Sequence, residues 1–207
     1  MHEIKEIKTI KKSVEVKFKE RSSVFIGECY YVSSDNEVLP ILEKIKKKYF
    51  DATHHCFAYK LSNGNFKFSD DGEPNGTAGK RILNAIEHFN LENCIVIITR
   101  YFGGTKLGVG PLGKAYYTSA YQALESSEFI IQRPYLIVNI NCDFSYLNLL
   151  HRTLGNHDSI IIETKYGENV EFVCYINANE KKSFISEVIE ASNSKIDISS
   201  SENLTYL

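Results

Sequence analysis

Polar and apolar residues alternate through SVEVKFKE (13–20) and SSVFIGECYYV (22–32), which predicts two half-buried strands joined at residues 20–22. The preceding IKEIKTI is read as an extra strand or arm. In NEVLPILEKIKKKYF (36–50) the apolar positions 38, 39, 42, 45 and 49 follow helical spacing, with Asp35 or Asn36 as the cap and the KIKKK run on the solvated face. THHCFAYKL (53–61) returns to strand pattern and pairs with NGNFKFS through the Asn63–Gly64 turn. GTAGKRILNAIEHFN (76–90) predicts a helix, NCIVIITRYF (93–102) a buried strand, and PLGKAYYTSAYQALESS (111–127) a further helix. Without repeated strand–helix–strand units, this stretch predicts a two-layer α/β domain over residues 1–132.

After Gln132–Arg133–Pro134 the pattern restarts. YLIVNINC, SYLNLLHRTLG, SIIIETKY, NVEFVCYIN, NEKKSFISEVIEAS and KIDISSSENLTYL read as β-α-β-β-α-β, the ferredoxin-like split motif, over residues 133–207. The chain is thus expected to be a two-domain α+β protein.

Composition narrows the class. A chain of 207 residues that is 43% hydrophobic can fill a core. Its longest apolar run, CIVII at 94–98, is too short to cross a bilayer, and the opening MHEIKEIKTIKK lacks a signal peptide's apolar centre. A cytosolic protein without membrane contact is expected. Five widely spaced cysteines, none in a C-x-x-C, suggest buried thiols rather than a disulfide framework or zinc ribbon. The net charge of -2 divides unevenly: residues 1–132 carry 18 Lys and Arg against 16 Asp and Glu, residues 133–207 carry 6 against 10. A polyanion would therefore meet a local basic patch on the first domain, not a general field.

Two stretches point to that patch. Gly76-Thr77-Ala78-Gly79-Lys80-Arg81 and Gly110-Pro111-Leu112-Gly113-Lys114 both read as glycine-led helix starts followed by cations. Such starts offer free amides and a positive dipole end to an anion. The second, GVGPLGKA, matches a phosphate loop except that Ala115 replaces the Mg²⁺-holding hydroxyl. The two starts are expected to lie together and form one basic depression; the alternative is that the glycines serve only tight turns. TRYFGGTKLG adds Arg100, Tyr101 and Lys106 around Gly103–Gly104, cations and aromatics suited to phosphate contact and base stacking, while Phe102 is either exposed or core. SDDGEPNG places Asp70, Asp71 and Glu73 upstream of the first glycine start, with His54 and His55 on the preceding strand. Clustered carboxylates can hold Mg²⁺ or act as bases, and they are equally the residues of turns; the favoured account is a polar turn that orients the first glycine loop, with Thr77 hydrogen-bonding locally and Arg100 as an ion-pair partner. Since strand neighbours face opposite ways, one histidine is expected to point inward and the other outward.

DATHHCFAY, SDDGEPNGTAGKRIL and IVIITRYFGGTKLGVGPLGKAY together resemble the YigZ/IMPACT family over roughly residues 20–125. The resemblance implies a ribosomal protein S5 domain 2-like fold for the first domain and, for the second, a ferredoxin-like domain similar to the last domain of translation elongation factor G. It implies that Gly113–Lys114 is a local variation on a shared glycine-rich turn, which removes the phosphate-loop reading. Eukaryotic members regulate translation through protein partners and ribosome association, and this chain shows no counterpart of their partner-binding extension. A non-enzymatic regulator is therefore expected, without cofactor or resident metal. RNA or the ribosome would meet Arg100, Lys106, Lys114, Lys80 and Arg81, with Tyr101 stacking and Thr77, Gly103 and Gly104 shaping the loops. The alternatives are a phosphotransferase or metal-assisted hydrolase using Asp70, Asp71 and Glu73, and a regulator that binds protein partners through its second domain.

Overall fold

The structure, a computed structural model, describes residues 4–207. Residues 7–131 form one compact unit, and residues 132–207 form a second together with residues 4–6.

In the first unit, β1 (Ile7–Lys12) pairs with β7 (Glu128–Gln132) in a two-stranded ribbon. The main sheet contains β2 (Val16–Glu20), β3 (Ser23–Tyr31), β4 (His54–Lys60), β5 (Phe66–Ser69) and β6 (Cys94–Tyr101). Its order is β2-β3-β6-β4-β5, with every neighbouring pair antiparallel. Helix α1 (Asp35–Lys48) packs Val38, Leu42 and Ile45 against Ile95 and Ile97. Helices α2 (Gly79–His88) and α3 (Val109–Glu125) share a separate core with Phe25, Cys56, Val96 and Ile98. Alternate residues of β6 thus enter different cores, so the sheet is covered on both faces and the expected two layers become three. The physical reason lies in CIVII, an unbroken apolar run that no one-sided sheet would require. Close packing of α3 depends on Gly27, where a Cβ would lie 2.9 Å from that of Ala123.

Several boundaries move from their predicted positions. The N-cap of α1 is Ser34, not Asp35 or Asn36, because Asp35 instead accepts hydrogen bonds from Tyr59 and Asn65. Helix α2 begins at Gly79, three residues later than its glycine-led start suggested, and α3 begins at Val109, two residues before Pro111.

The second unit contains β8 (Pro134–Cys142), a 3-10 turn at Phe144–Tyr146, α4 (Leu147–Asn156), β9 (Ser159–Tyr166), β10 (Val170–Asn177), α5 (Lys181–Ser192), β11 (Asp197–Ser200) and β12 (Thr205–Tyr206). The sheet order β11-β8-β10-β9 is that of the split β-α-β motif, and β12 pairs with the far end of β8. Leu150, Leu154, Phe184 and Val188 of the helices pack with Val138, Ile140, Phe172, Cys174 and Ile176 of the sheet. Residues 4–6 belong to this unit rather than to the first domain as expected. Ile4 exchanges two 2.9 Å hydrogen bonds with the Asn179 side chain, and Glu6 lies 3.1 Å from Arg133. No helix among the described residues is long and apolar enough to cross a membrane.

Candidate functional site

The segment between β5 and α2 is organised around one carboxylate. Asp71 (φ 41) and Gly72 (φ 87) turn the chain sharply. Asp70 Oδ2 accepts the amide of Gly76 at 2.8 Å, and its Oδ1 accepts those of Ala78 at 2.9 Å and Gly79 at 2.8 Å. The amides at the start of α2 that were expected to receive a phosphate are therefore bonded to an internal anion, which favours the helix dipole in the same way. Gly79 is required for another reason: a Cβ there would come within 2.7 Å of the Ser69 backbone. Thr77 is buried and donates its hydroxyl to the Pro74 carbonyl at 2.5 Å, so it offers nothing to a ligand.

The other two carboxylates are committed elsewhere. Asp71 Oδ2 accepts the His55 amide at 2.6 Å, and its other oxygen lies 4.0 Å from Lys46. Glu73 has a side chain only 4% exposed; its Oε1 accepts from Arg100 Nη1 at 2.5 Å and from the Tyr116 hydroxyl at 2.7 Å, with His54 Nε2 3.8 Å away. Among the described residues no three His, Cys, Asp or Glu side chains are grouped to hold a metal. The hydrolase or phosphotransferase built on Asp70, Asp71 and Glu73 therefore lacks its assembled ligands. Burial pushes the pKa of the Cys56 thiol and of the Tyr116 phenol up, which keeps both protonated and removes them as nucleophiles.

Arg100 corrects the largest expectation. It is 4% exposed, donates from Nη1 to Glu73 and from Nη2 to Ser23 Oγ at 3.1 Å, and lies 5.3 Å and 5.4 Å from the ring centroids of Phe25 and Phe102. It is an internal cation whose two terminal nitrogens are taken by Glu73 and Ser23, which removes it from the surface set expected to meet phosphate. Its Nε–H has no hydrogen-bond partner among the described residues, a deficit of about 1–3 kcal/mol in a buried group. Tyr101 is half-buried and its hydroxyl is held by Asp51 at 2.8 Å, whereas Phe102 is 43% exposed. His55 is buried, its Nε2 donates to the Tyr49 carbonyl at 3.2 Å, and burial pulls its pKa down. His54 is half-buried; its Nδ1 donates to the Asp71 carbonyl at 2.8 Å, leaving Nε2 without a hydrogen bond.

The starts of α2 and α3 do adjoin: a Cβ at Gly113 would lie 3.3 Å from Arg81 Nε and 3.8 Å from the Thr77 carbonyl. Lys106 lines a hollow of ≈ 420 Å³ with His54, Glu73, Arg100 and Phe102, while Lys114 lines a different hollow of ≈ 490 Å³ with Phe18, Glu20 and Pro111. Lys80, Arg81, Lys106 and Lys114 are all exposed, and none forms an ion pair among the described residues. Of the two loop glycines, Gly104 turns at φ 84 and Gly103 permits contact, since a Cβ on Gly103 would collide with the Ser22 carbonyl. Gly103→Ala is therefore expected to lower stability by about 1–3 kcal/mol through forced displacement of this loop. Urea unfolding checks it, and a variant indistinguishable from wild type would show that the loop packs loosely on Ser22.

Sequence reasoning missed Asp70 as the partner of the α2 amides, and Ser23 and Phe25 as part of the Arg100 setting. Only the Asp-Asp-Gly turn signal bore on the first, and nothing in residue spacing on the second.

Comparison with known proteins places these residues in a wider group. Residues 21–124 match the Impact N-terminal domain, and residues 140–195 match a Domain of unknown function (DUF1949). IMPACT family member YvyE of Bacillus subtilis (strain 168) is 35% identical over 201 residues, covering 96% of this chain and 92% of that protein. IMPACT family member YigZ of Escherichia coli (strain K12) is 31% identical over 150 residues, covering 70% and 74%. A solved structure described as "Crystal structure of an hypothetical protein" superposes with a TM-score of 0.70 at 26% identity, covering 93% of this chain and 96% of that one.

Proposed function

The chain belongs to the IMPACT family, and from that premise we propose that it is a non-enzymatic cytosolic regulator linked to translation, which contacts RNA or the ribosome through the first unit, where α2 and α3 begin. The observation that carries this reading is the sorting of charge on that face. Asp70, Asp71 and Glu73 turn to internal partners, whereas Lys80, Arg81, Lys106 and Lys114 remain exposed without ion pairs among the described residues. A protein of net charge -2 thereby presents a local excess of cations to phosphates. The stacking role expected of Tyr101 passes to Phe102, the exposed aromatic of the loop.

Four phosphate contacts of this kind predict a slope of log K against log salt of roughly −2 to −3 on single-stranded RNA, at about 0.7 per contact. Fluorescence anisotropy with a single-stranded RNA oligomer measures it, and Lys106→Gln is expected to reduce the slope by about 0.7. Absence of binding at low salt, or an unchanged slope in the variant, would sink the reading. It would favour a protein partner on the second unit, where Ile160, Ile161 and Ile162 of the edge strand β9 are 46%, 41% and 47% exposed.

A further inference from the structure

The RNA reading uses Lys106 and Phe102 at the rim of one hollow and leaves its apolar interior unassigned. We propose that this hollow binds a small organic anion: a single carboxylate carried on an apolar body of aryl or branched-alkyl type. Its volume of ≈ 420 Å³ falls within the roughly 300–1,000 Å³ usual for small-ligand sites. Pro74, Phe102, Leu107, Val109 and Leu112 supply apolar walls that suit such a body and offer nothing to a polyphosphate.

The head group is specified by what converges on the same space. Arg100, whose side chain is 5% exposed, is part of the lining, and its buried Nε–H lacks any partner among the described residues. The Phe102 ring centroid lies 5.4 Å from the guanidinium and the residue is 43% exposed, and binding requires this ring to shift so that the ligand's carboxylate reaches Nε–H. The 17-residue helix α3 begins at this wall, with Gly108 and Val109 both in the lining, and so presents its positive end to the ligand. Glu73, the one carboxylate present, is already neutralised by Arg100, leaving Lys106 to give the hollow a positive balance. His54 Nε2, 3.8 Å from Glu73 and without a hydrogen bond among the described residues, adds a further polar atom. A buried unmet donor, a helix start and a lysine around apolar walls together select a monoanion over a neutral or cationic molecule.

The test is titration of ¹⁵N-labelled protein, followed by nuclear magnetic resonance, with 3-phenylpropionate, with 3-phenylpropan-1-ol and with propionate. The expected result is saturable shifts confined to residues 102–112 and the neighbourhood of Arg100, with 3-phenylpropionate at least roughly tenfold tighter than either control. Val109→Glu places a like charge on a wall position that is 68% exposed, so folding is spared while affinity should fall by about tenfold or more. Equal affinity for the acid and the alcohol, no saturable shift with the acid, or unchanged affinity in Val109→Glu would each overturn the proposal. Lys106 belongs to both readings, but the RNA reading fails on the salt slope, whereas the hollow fails on the acid–alcohol comparison and on Val109→Glu, so the two are distinguishable.

Discussion

Replacing Arg100 by methionine is expected to destabilise the first unit by about 3–5 kcal/mol, the usual consequence of removing one member of a buried ion pair. The size follows from what stays behind. Glu73, 4% exposed, would keep only the Tyr116 hydroxyl as a close donor, and Ser23 Oγ would lose Nη2. Glu73→Gln should be costly for the converse reason, since the guanidinium would remain charged between Phe25 and Phe102 without its counterion. The double variant is expected to fall short of the sum of the singles by about 1 kcal/mol or more, because each single leaves an orphaned charge and the double leaves none. Urea unfolding followed by tyrosine fluorescence suits a chain with 13 tyrosines and no tryptophan. Strict additivity would mean that the two side chains do not act as a pair.

The second large effect belongs to Asp70. Asp70→Ala deprives three amides of their acceptor, two of them, at Ala78 and Gly79, on buried residues, and is expected to cost about 2–4 kcal/mol in total. Asp70→Asn retains a carbonyl oxygen that can serve Ala78 and Gly79, and its loss should be about half as large, in the range of a single helix cap. Hydrogen exchange localises the effect: in the alanine variant the amides of 78 and 79 should exchange faster while those in β9 and β10 do not change. Equal losses in the two variants would show that the carboxylate acts through its charge alone and that hydrogen-bond geometry is irrelevant.

These two residues also mark where the sequence stopped being legible. Apart from β7, the strands of both units and helices α1–α5 follow from local periodicity, and the order of the second sheet from the β-α-β-β-α-β succession of its elements. So did the inward turn of one histidine and not the other, which needs only the period of a strand. Strand β7 escaped because EFIIQ is short and lies between clearer elements, and the last predicted strand is in fact two, β11 and β12, bound to separate stretches of β8. The errors at the site have a common cause. The sequence offers Arg100 both to phosphate and to the acidic turn as an ion-pair partner, and the choice between the two is invisible because Glu73 lies 27 residues earlier and meets it only through the fold. Asp70 was visible as a turn residue, while the bonds that define its task run six to nine residues ahead to a helix that starts later than its glycines suggested. Polar residues whose partners are distant in sequence carry no periodic signature, and the candidate site is composed of them.

The ribbon formed by β1 and β7 has a consequence for the order in which this chain folds. Residues 4–6 and the 132–207 unit they join are separated along the chain by the whole of the first unit. Closing so long an unfolded loop carries an entropic cost that grows with the logarithm of its length. Once β1 has paired with β7, the two ends of the intervening unit are side by side, and the encounter of Ile4 with Asn179 becomes a short-range event. The sheet of the second unit can form from its own residues alone, but its docking with the chain's opening residues must wait for the first unit. Refolding should therefore end in a late, small-amplitude step whose rate follows the slower of the two units, with the ribbon as its gate.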